Sequence, residues 1–264
     1  MSINHVEIKD FLLFKGNFAV DFCSGVNVLI GANGTGKTTI LKWLYQNKED
    51  KVDDFIFIPE KDILEHARGL FTFIEKKQTG FGQIYKDVLV NAQDIPTREQ
   101  SETQKAICKI VTDVIDGEVY YERAEGIFYT LKTDGKRIPF SDESSGYKKF
   151  GYLGLLVNSG QLENGSVLLW DEPENSLNPE LVPILVDILL ELSRNGVQIF
   201  VATHCEILAN YFNVLRKNGD KLMFYSLFKE GEQIKFDMNE QFDYLRPNKL
   251  SEEIVKLYKE QLKK

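Results

Sequence analysis

GANGTGKTT, Gly31 to Thr39, is the stretch that decides the fold. It satisfies GxxxxGK[ST] completely. A short β-branched run, VNVLI, stands before it, and TTILKWLY after it carries apolar residues at helical spacing. A glycine-rich turn between a buried strand and a helix brings successive backbone N–H groups toward an anion, with the positive end of the helix dipole behind them. Gly31, Gly34 and Gly36 permit the turn, and Asn33 and Thr35 belong to the same cradle. Lys37 is expected at the β- and γ-phosphates, Thr38 on Mg²⁺, and Thr39 at an α-phosphate. The bland alternative, a glycine-rich turn with a chance lysine, is disfavoured by the strand and helix on its flanks.

Outward from this loop the pattern alternates. The first thirty residues (VEIKDFLLF, NFAVDF) read as two antiparallel strands feeding the central strand VNVLI. FIFIP at 55–59 is a further buried strand stopped by Pro59. Residues 61–115 carry helical stretches, KDILEHARGLFTFIEKK and SETQKAICKIVTDVID, which predict a helical lobe inserted in one domain spanning 1–264. EVYYER, GIFYTLKT and KRIPF form a small meander, divided by the turn signals Glu125-Gly126 and Asp134-Gly135. A helix over 145–158, the strand SVLLW, the helix PELVPILVDILLELSRN, the strand VQIFVAT and a helix from Glu206 predict a mostly parallel sheet. Two strands and an amphipathic helix end the chain.

The run SVLLWDEPENSLNP supplies a second chemical element. An apolar strand ending in Asp171 and Glu172 places one carboxylate near a metal and the next near a γ-phosphate. Asp171 is expected to hold Mg²⁺ directly or through water, and Glu172 to orient or deprotonate an attacking water. A DE pair alone would read as a solvated turn; its place downstream of a complete phosphate loop reverses that reading.

Composition narrows the function classes. Over 264 residues, 43% hydrophobic and 27% charged content fits one folded globular unit rather than a disordered chain. No apolar stretch approaches the ~20 residues of a membrane span, and MSINHVEIKD lacks a signal core, so a cytoplasmic location is expected. Cys23, Cys108 and Cys205 are scattered and odd in number, which suits reduced thiols better than disulfides. A net charge of −8 argues against coating nucleic acid by bulk charge. No base-reading motif separates ATP from GTP.

Four stretches taken together resemble the ABC-type ATPases, in the branch typified by structural-maintenance-of-chromosomes heads, DNA-repair ATPases and overcoming-lysogenization-defect nucleases. They are GANGTGKTT (the P-loop), ESSGYKKF (the signature), DEPENSLNP (the Walker B with its D-loop) and IFVATH, ending in the switch residue His204. The resemblance implies an α/β P-loop NTPase, an ABC-ATPase head with a mixed sheet. It implies a homodimer on ATP binding, in which the signature Ser145, with Ser144 as the alternative, and Gly146 cap ATP held by the partner's P-loop. It implies that His204 contacts the γ-phosphate and that Asn175 to Asn178 cross the interface. The chain departs from the family pattern in three places. Tyr147 replaces the second signature glycine, Glu60 stands near the place of the family's glutamine and is expected to bind Mg²⁺ or its water in its stead, and Asn178 replaces an aspartate. A separate effector protein is expected, nucleic acid stays open as a partner, and a membrane is not expected. An ABC-transporter subunit and a nucleotide-binding module with negligible turnover are the alternatives.

Overall fold

The computed structural model describes residues 2–48, 55–67, 69–70 and 82–263. In chain order the elements are β1 (His5–Phe11), β2 (Phe14–Asp21), β3 (Val26–Ile30), α1 (Lys37–Gln46), β4 (Phe55–Ile58), α2 (Gln83–Asn91) and α3 (Glu102–Ile115). They continue with β5 (Gly117–Glu122), β6 (Ile127–Lys132), β7 (Arg137–Pro139), α4 (Ser145–Asn158) and β8 (Val167–Asp171). Then come α5 (Val182–Arg194), β9 (Gln198–Thr203), α6 (Glu206–Leu215), β10 (Leu222–Glu230), β11 (Gln233–Asn239) and α7 (Lys249–Gln261).

Six strands form the main sheet in the order β11-β10-β3-β9-β8-β4. The five from β10 to β4 run parallel, and β11 closes one edge antiparallel to β10. Every residue of β3, β4, β8 and β9 is buried. Their unbroken apolar runs have this cause: a parallel sheet is covered on both faces, so alternation gives way to continuous hydrophobicity. On one face Val28, Leu168, Trp170 and Val201 pack with Leu185 and Leu189 of α5 and Leu208 of α6. On the other, Leu29, Leu169 and Phe200 meet Ile40, Leu41 and Leu44 of α1 and Ile8 and Phe18 of the first hairpin.

The two antiparallel strands expected ahead of β3 form as β1 and β2, which among the described residues pair with each other as a separate two-stranded sheet laid over the α1 face. One expectation changes in detail. The helix read into PELVPILVDILLELSRN begins as a 3-10 turn, Pro179–Leu181, because a proline also follows at Pro183 and the regular helix starts only at Val182. The meander β5-β6-β7 is antiparallel throughout, with left-handed glycines at Gly126 and Gly135 in its turns.

Within 61–115 the described residues hold a 3-10 turn at Leu64–His66, α2 and α3. The expected helix KDILEHARGLFTFIEKK falls mostly outside the described residues. Helix α3 opens with a capping box between Ser101 and Gln104. It packs on α4 so closely that a Cβ on Gly154 would sit 2.9 Å from Val111 Cγ1, and β5 of the meander approaches the same helix, where a Cβ on Gly151 would sit 2.7 Å from Val119 Cγ2. Among the described residues no helix is long and apolar enough to cross a membrane.

Candidate active site

The phosphate loop links the C-terminal end of β3 to α1, so that the helix begins where the strand's last amides point. Gly36 caps α1 in the left-handed region, φ 96°. A Cβ there would lie 2.8 Å from the Phe14 ring, so both conformation and space call for glycine. Helix α1 has no side-chain cap and no acidic residue in its first turn, which leaves its first N–H groups and dipole directed at an incoming anion. Asn33 and Gly34 are exposed, while Thr35 is buried and turns its hydroxyl onto the Ala32 carbonyl at 2.9 Å. Thr39, the third residue of the helix, is buried.

Lys37 folds back over the loop, donating to the Gly31 carbonyl at 2.7 Å and the Ala32 carbonyl at 3.4 Å. Burial lowers its pKa, against the opposing pull of Glu172 and Asp171. Its Nζ stands 3.9 Å from Glu172 Oε1. The Thr38 hydroxyl bonds the Asp171 carboxylate, with its oxygen 3.0 and 2.9 Å from Oδ1 and Oδ2. Burial pushes the Asp171 carboxyl up to about 6, with the Thr38 bond opposing and the charges of Glu172 and Glu60 adding. A buried carboxylate beside a hydroxyl is an all-oxygen donor set of the kind that suits Mg²⁺.

Glu172 follows at the turn out of β8 with φ 47°, a left-handed conformation unusual for a side chain of this size. Its N–H is held by the Ala202 carbonyl at 2.8 Å. Its Oε2 lies 2.6 Å from His204 Nδ1 and accepts the His204 backbone N–H at 3.3 Å. Glu172 is buried and the His204 ring exposed, so the pair stands at the mouth of the site.

Two groups that sequence reasoning passed over complete the cluster. Glu174 accepts a hydrogen bond from the Thr203 hydroxyl, which in turn accepts the Cys205 N–H at 2.9 Å. Burial pushes the Glu174 carboxyl up to about 7, the Thr203 bond opposing and Glu172 adding to the rise. Glu172, Glu174 and His204 bring ligating atoms within 4.8 Å of one another. Lys149, from α4, donates to the Glu172 carbonyl at 2.8 Å and the Pro173 carbonyl at 3.1 Å. Its burial lowers its pKa to about 8, with Glu174 and Glu172 pulling the other way. The available signals were the second acid in DEPE and the second lysine of YKK, one helical turn after Ser145.

The remaining expected residues fall on the periphery. Ser144, not Ser145, is the N-cap of α4, accepting the Tyr147 N–H at 3.3 Å. Ser145 is the first helical residue and is exposed. Among the described residues neither serine is hydrogen-bonded to the phosphate loop of its own chain. Gly146 is buried against the Ser176–Leu177 turn, where a Cβ would meet Leu177 Cδ2 at 3.2 Å. Glu60 is exposed and accepts from Asn175 Nδ2 at 3.0 Å, close enough to raise Asp171 without bonding it. Asn178 bonds only locally, to Glu180 at 2.7 Å.

Residues 48–208 match the family described as "AAA domain, putative AbiEii toxin, Type IV TA system", and residues 1–75 match the AAA ATPase domain family. The chain belongs to the first of these AAA families. It is an ABC-type ATPase, with ATP binding and hydrolysis as the shared activity. Among curated proteins it is similar to the octopine permease ATP-binding protein P of Rhizobium radiobacter, 23% identical over 75% of this chain and 78% of that one. The cell division ATP-binding protein FtsE of Bacillus subtilis is 22% identical over 69% of this ATPase and 74% of its own length. In fold the ATPase is similar to the Smc head domain of Pyrococcus furiosus, with TM-score 0.57 and 11% identity over the whole of both chains. The SMC head of Thermotoga maritima gives TM-score 0.54 and 15% identity over 91% of this chain and 100% of that one.

Proposed function

We propose that this ATPase is a nucleotide-driven switch: MgATP joins two copies head to tail, hydrolysis releases them, and a separate effector protein or nucleic acid responds to the change. The observation that carries this reading is the division of the site. Lys37, Thr38, Asp171, Glu172 and His204 converge on one space, whereas among the described residues the exposed Ser145 at the start of α4 is not hydrogen-bonded to any of them. A hydroxyl on an exposed first helical residue, beside Gly146, is suited to a phosphate presented by another molecule.

Within one half-site the roles follow from position. Loop amides and Lys37 hold the triphosphate. Thr38 and Asp171 would hold Mg²⁺, which when bound supplies charge neutralisation to the β- and γ-oxygens. Glu172 orients a water in line with the γ-phosphorus and accepts its proton as the O–P bond forms and the bond to the β–γ bridging oxygen breaks. His204, bonded to the same carboxylate, fixes its orientation and faces the γ-phosphate.

The curated relatives that are transport ATP-binding subunits favour a second reading, as a subunit that drives a membrane permease. Against it, Glu60 occupies the place of the expected glutamine and is bonded to Asn175 rather than free to couple elsewhere. The matched family, described as "putative AbiEii toxin, Type IV TA system", is compatible with a role in defence, and we propose phage defence or DNA repair as the setting of the switch. Glu172→Gln should abolish turnover and trap an ATP-bound dimer, seen by light scattering. Undiminished turnover would sink the assignment of Glu172, and a persistent monomer would sink the dimer.

A further inference from the structure

Strand β10 is paired with β3 only as far as Ser226 opposite Ile30, yet it runs on to Glu230. The extra residues lie along the phosphate loop. A Cβ on Gly31 would stand 2.5 Å from the Leu227 carbonyl oxygen, one on Gly36 would stand 3.0 Å from Ile234 Cδ1 of β11, and one on Gly34 would stand 3.7 Å from Lys229 Nζ. The β10–β11 hairpin is therefore a wall of the nucleotide site, and a lysine ammonium sits at its tip beside the exposed part of the loop.

The charges at that tip do not cancel. Glu230 is paired with Lys235, and Glu232 with Lys15 at 2.7 Å. Lys229 is exposed, and among the described residues its side chain has no ion-pair or hydrogen-bond partner. Every carboxylate of the turn is thus already engaged by another lysine, which leaves one uncompensated cation next to amides that face an anion. A chain of net charge −8 places few such groups beside a ligand site. An ammonium on a four-carbon stem has only donors to offer, and its best partner within reach is a phosphate oxygen.

We propose that Lys229 is a second cationic contact for the nucleotide's α- and β-phosphates, reaching the loop from its exposed side while Lys37 holds it from within. The assignment to the α- and β-phosphates follows from the position of Gly34, since the amides of this part of the loop cradle those groups. The inference rests on the reading of residues 31–39 as an ATP site. An exposed cation near a phosphate gives a modest, salt-sensitive gain, about three- to tenfold in affinity at low salt.

The test is equilibrium binding of fluorescent ATP and ADP to the full chain and to Lys229→Ala, Lys229→Glu, Lys229→Arg and Lys37→Ala, at two salt concentrations. Lys229→Ala should weaken ATP and ADP alike by about three- to tenfold, with a shallower salt dependence. Lys229→Glu should weaken them further, and Lys229→Arg should restore binding. Melting curves should not separate the Lys229 variants, because the side chain is exposed. Wild-type affinity and salt slope in Lys229→Ala, with binding lost in Lys37→Ala, would overturn this inference alone. A loss confined to ATP would overturn the placement at the α- and β-phosphates. Unchanged binding in Lys37→Ala would instead overturn the ATP site on which the inference rests.

Discussion

The two sides of the active site are built from opposite materials. Residues 31–39 work mainly through backbone: three glycines, an uncapped helix start and one buried lysine bonded to carbonyls. The opposite side, from Asp171 to Cys205, works through side chains crowded at a strained turn. There Asp171, Glu172 and Glu174 stand together, with Lys149 and Thr203 holding them. Apart from Lys37 and Thr38, which act through their own side-chain atoms, a backbone cradle tolerates exchange of its non-glycine side chains and fails when a glycine is changed. A side-chain cluster should show the reverse, with graded losses that depend on charge and hydrogen bonding.

That contrast can be broken most sharply at its two centres. Glu172→Gln removes the base while keeping shape, so kcat should fall by about 10²–10⁴-fold with ATP affinity retained, as read by steady-state kinetics and nucleotide binding. Gly36→Ala should cost binding and fold together, about 1–3 kcal/mol of stability, through the left-handed φ and the Phe14 contact. If denaturant titration shows this variant as stable as the wild type, the cradle does not depend on that glycine. Lys149→Met should lower kcat about tenfold with little change in KM, because the carbonyls it holds belong to Glu172 and Pro173. An equal rise in KM would place Lys149 in nucleotide binding instead.

The smallest effect is a pH dependence. The Glu174 carboxyl, pushed up to about 7 by burial, holds its proton in the folded chain after the unfolded chain has released it near the ordinary glutamate value of 4.5. The unfolded state then binds fewer protons, so stability falls as pH rises from about 4.5 to 7. The Asp171 carboxyl adds a similar fall up to about 6. Melting temperature without nucleotide should drop by a few degrees across that range, and Glu174→Gln should flatten part of the drop. A profile identical to wild type would show that Glu174 is not the group responsible.

The same contrast explains what the sequence revealed. The phosphate loop could be read because its chemistry is carried by consecutive residues, and spacing alone specifies it. The parallel strands could be read because β3, β8 and β9 are continuous apolar runs between turn residues. Glu174 and Lys149 were missed because their roles come from contacts across 29 and 23 residues, Thr203 to Glu174 and Lys149 to Glu172, which no local pattern records. That Ser144 rather than Ser145 caps α4 rests on a single hydrogen bond from the Tyr147 amide. The separate pairing of β1 with β2 was hidden because a buried-face alternation looks the same whether a hairpin joins a sheet or lies across it.

The close seating of α3 on α4 has a mechanical consequence. Val111 of α3 fills the space left by Gly154, and Val119 of β5 that left by Gly151, so α4 is keyed to both neighbours at these two points. Helix α4 spans about 21 Å at 1.5 Å per residue, with Ser145 at one end. In the proposed dimer, a push received at that end would meet resistance to sliding at both points, so that α4 would carry α3 and the meander with it.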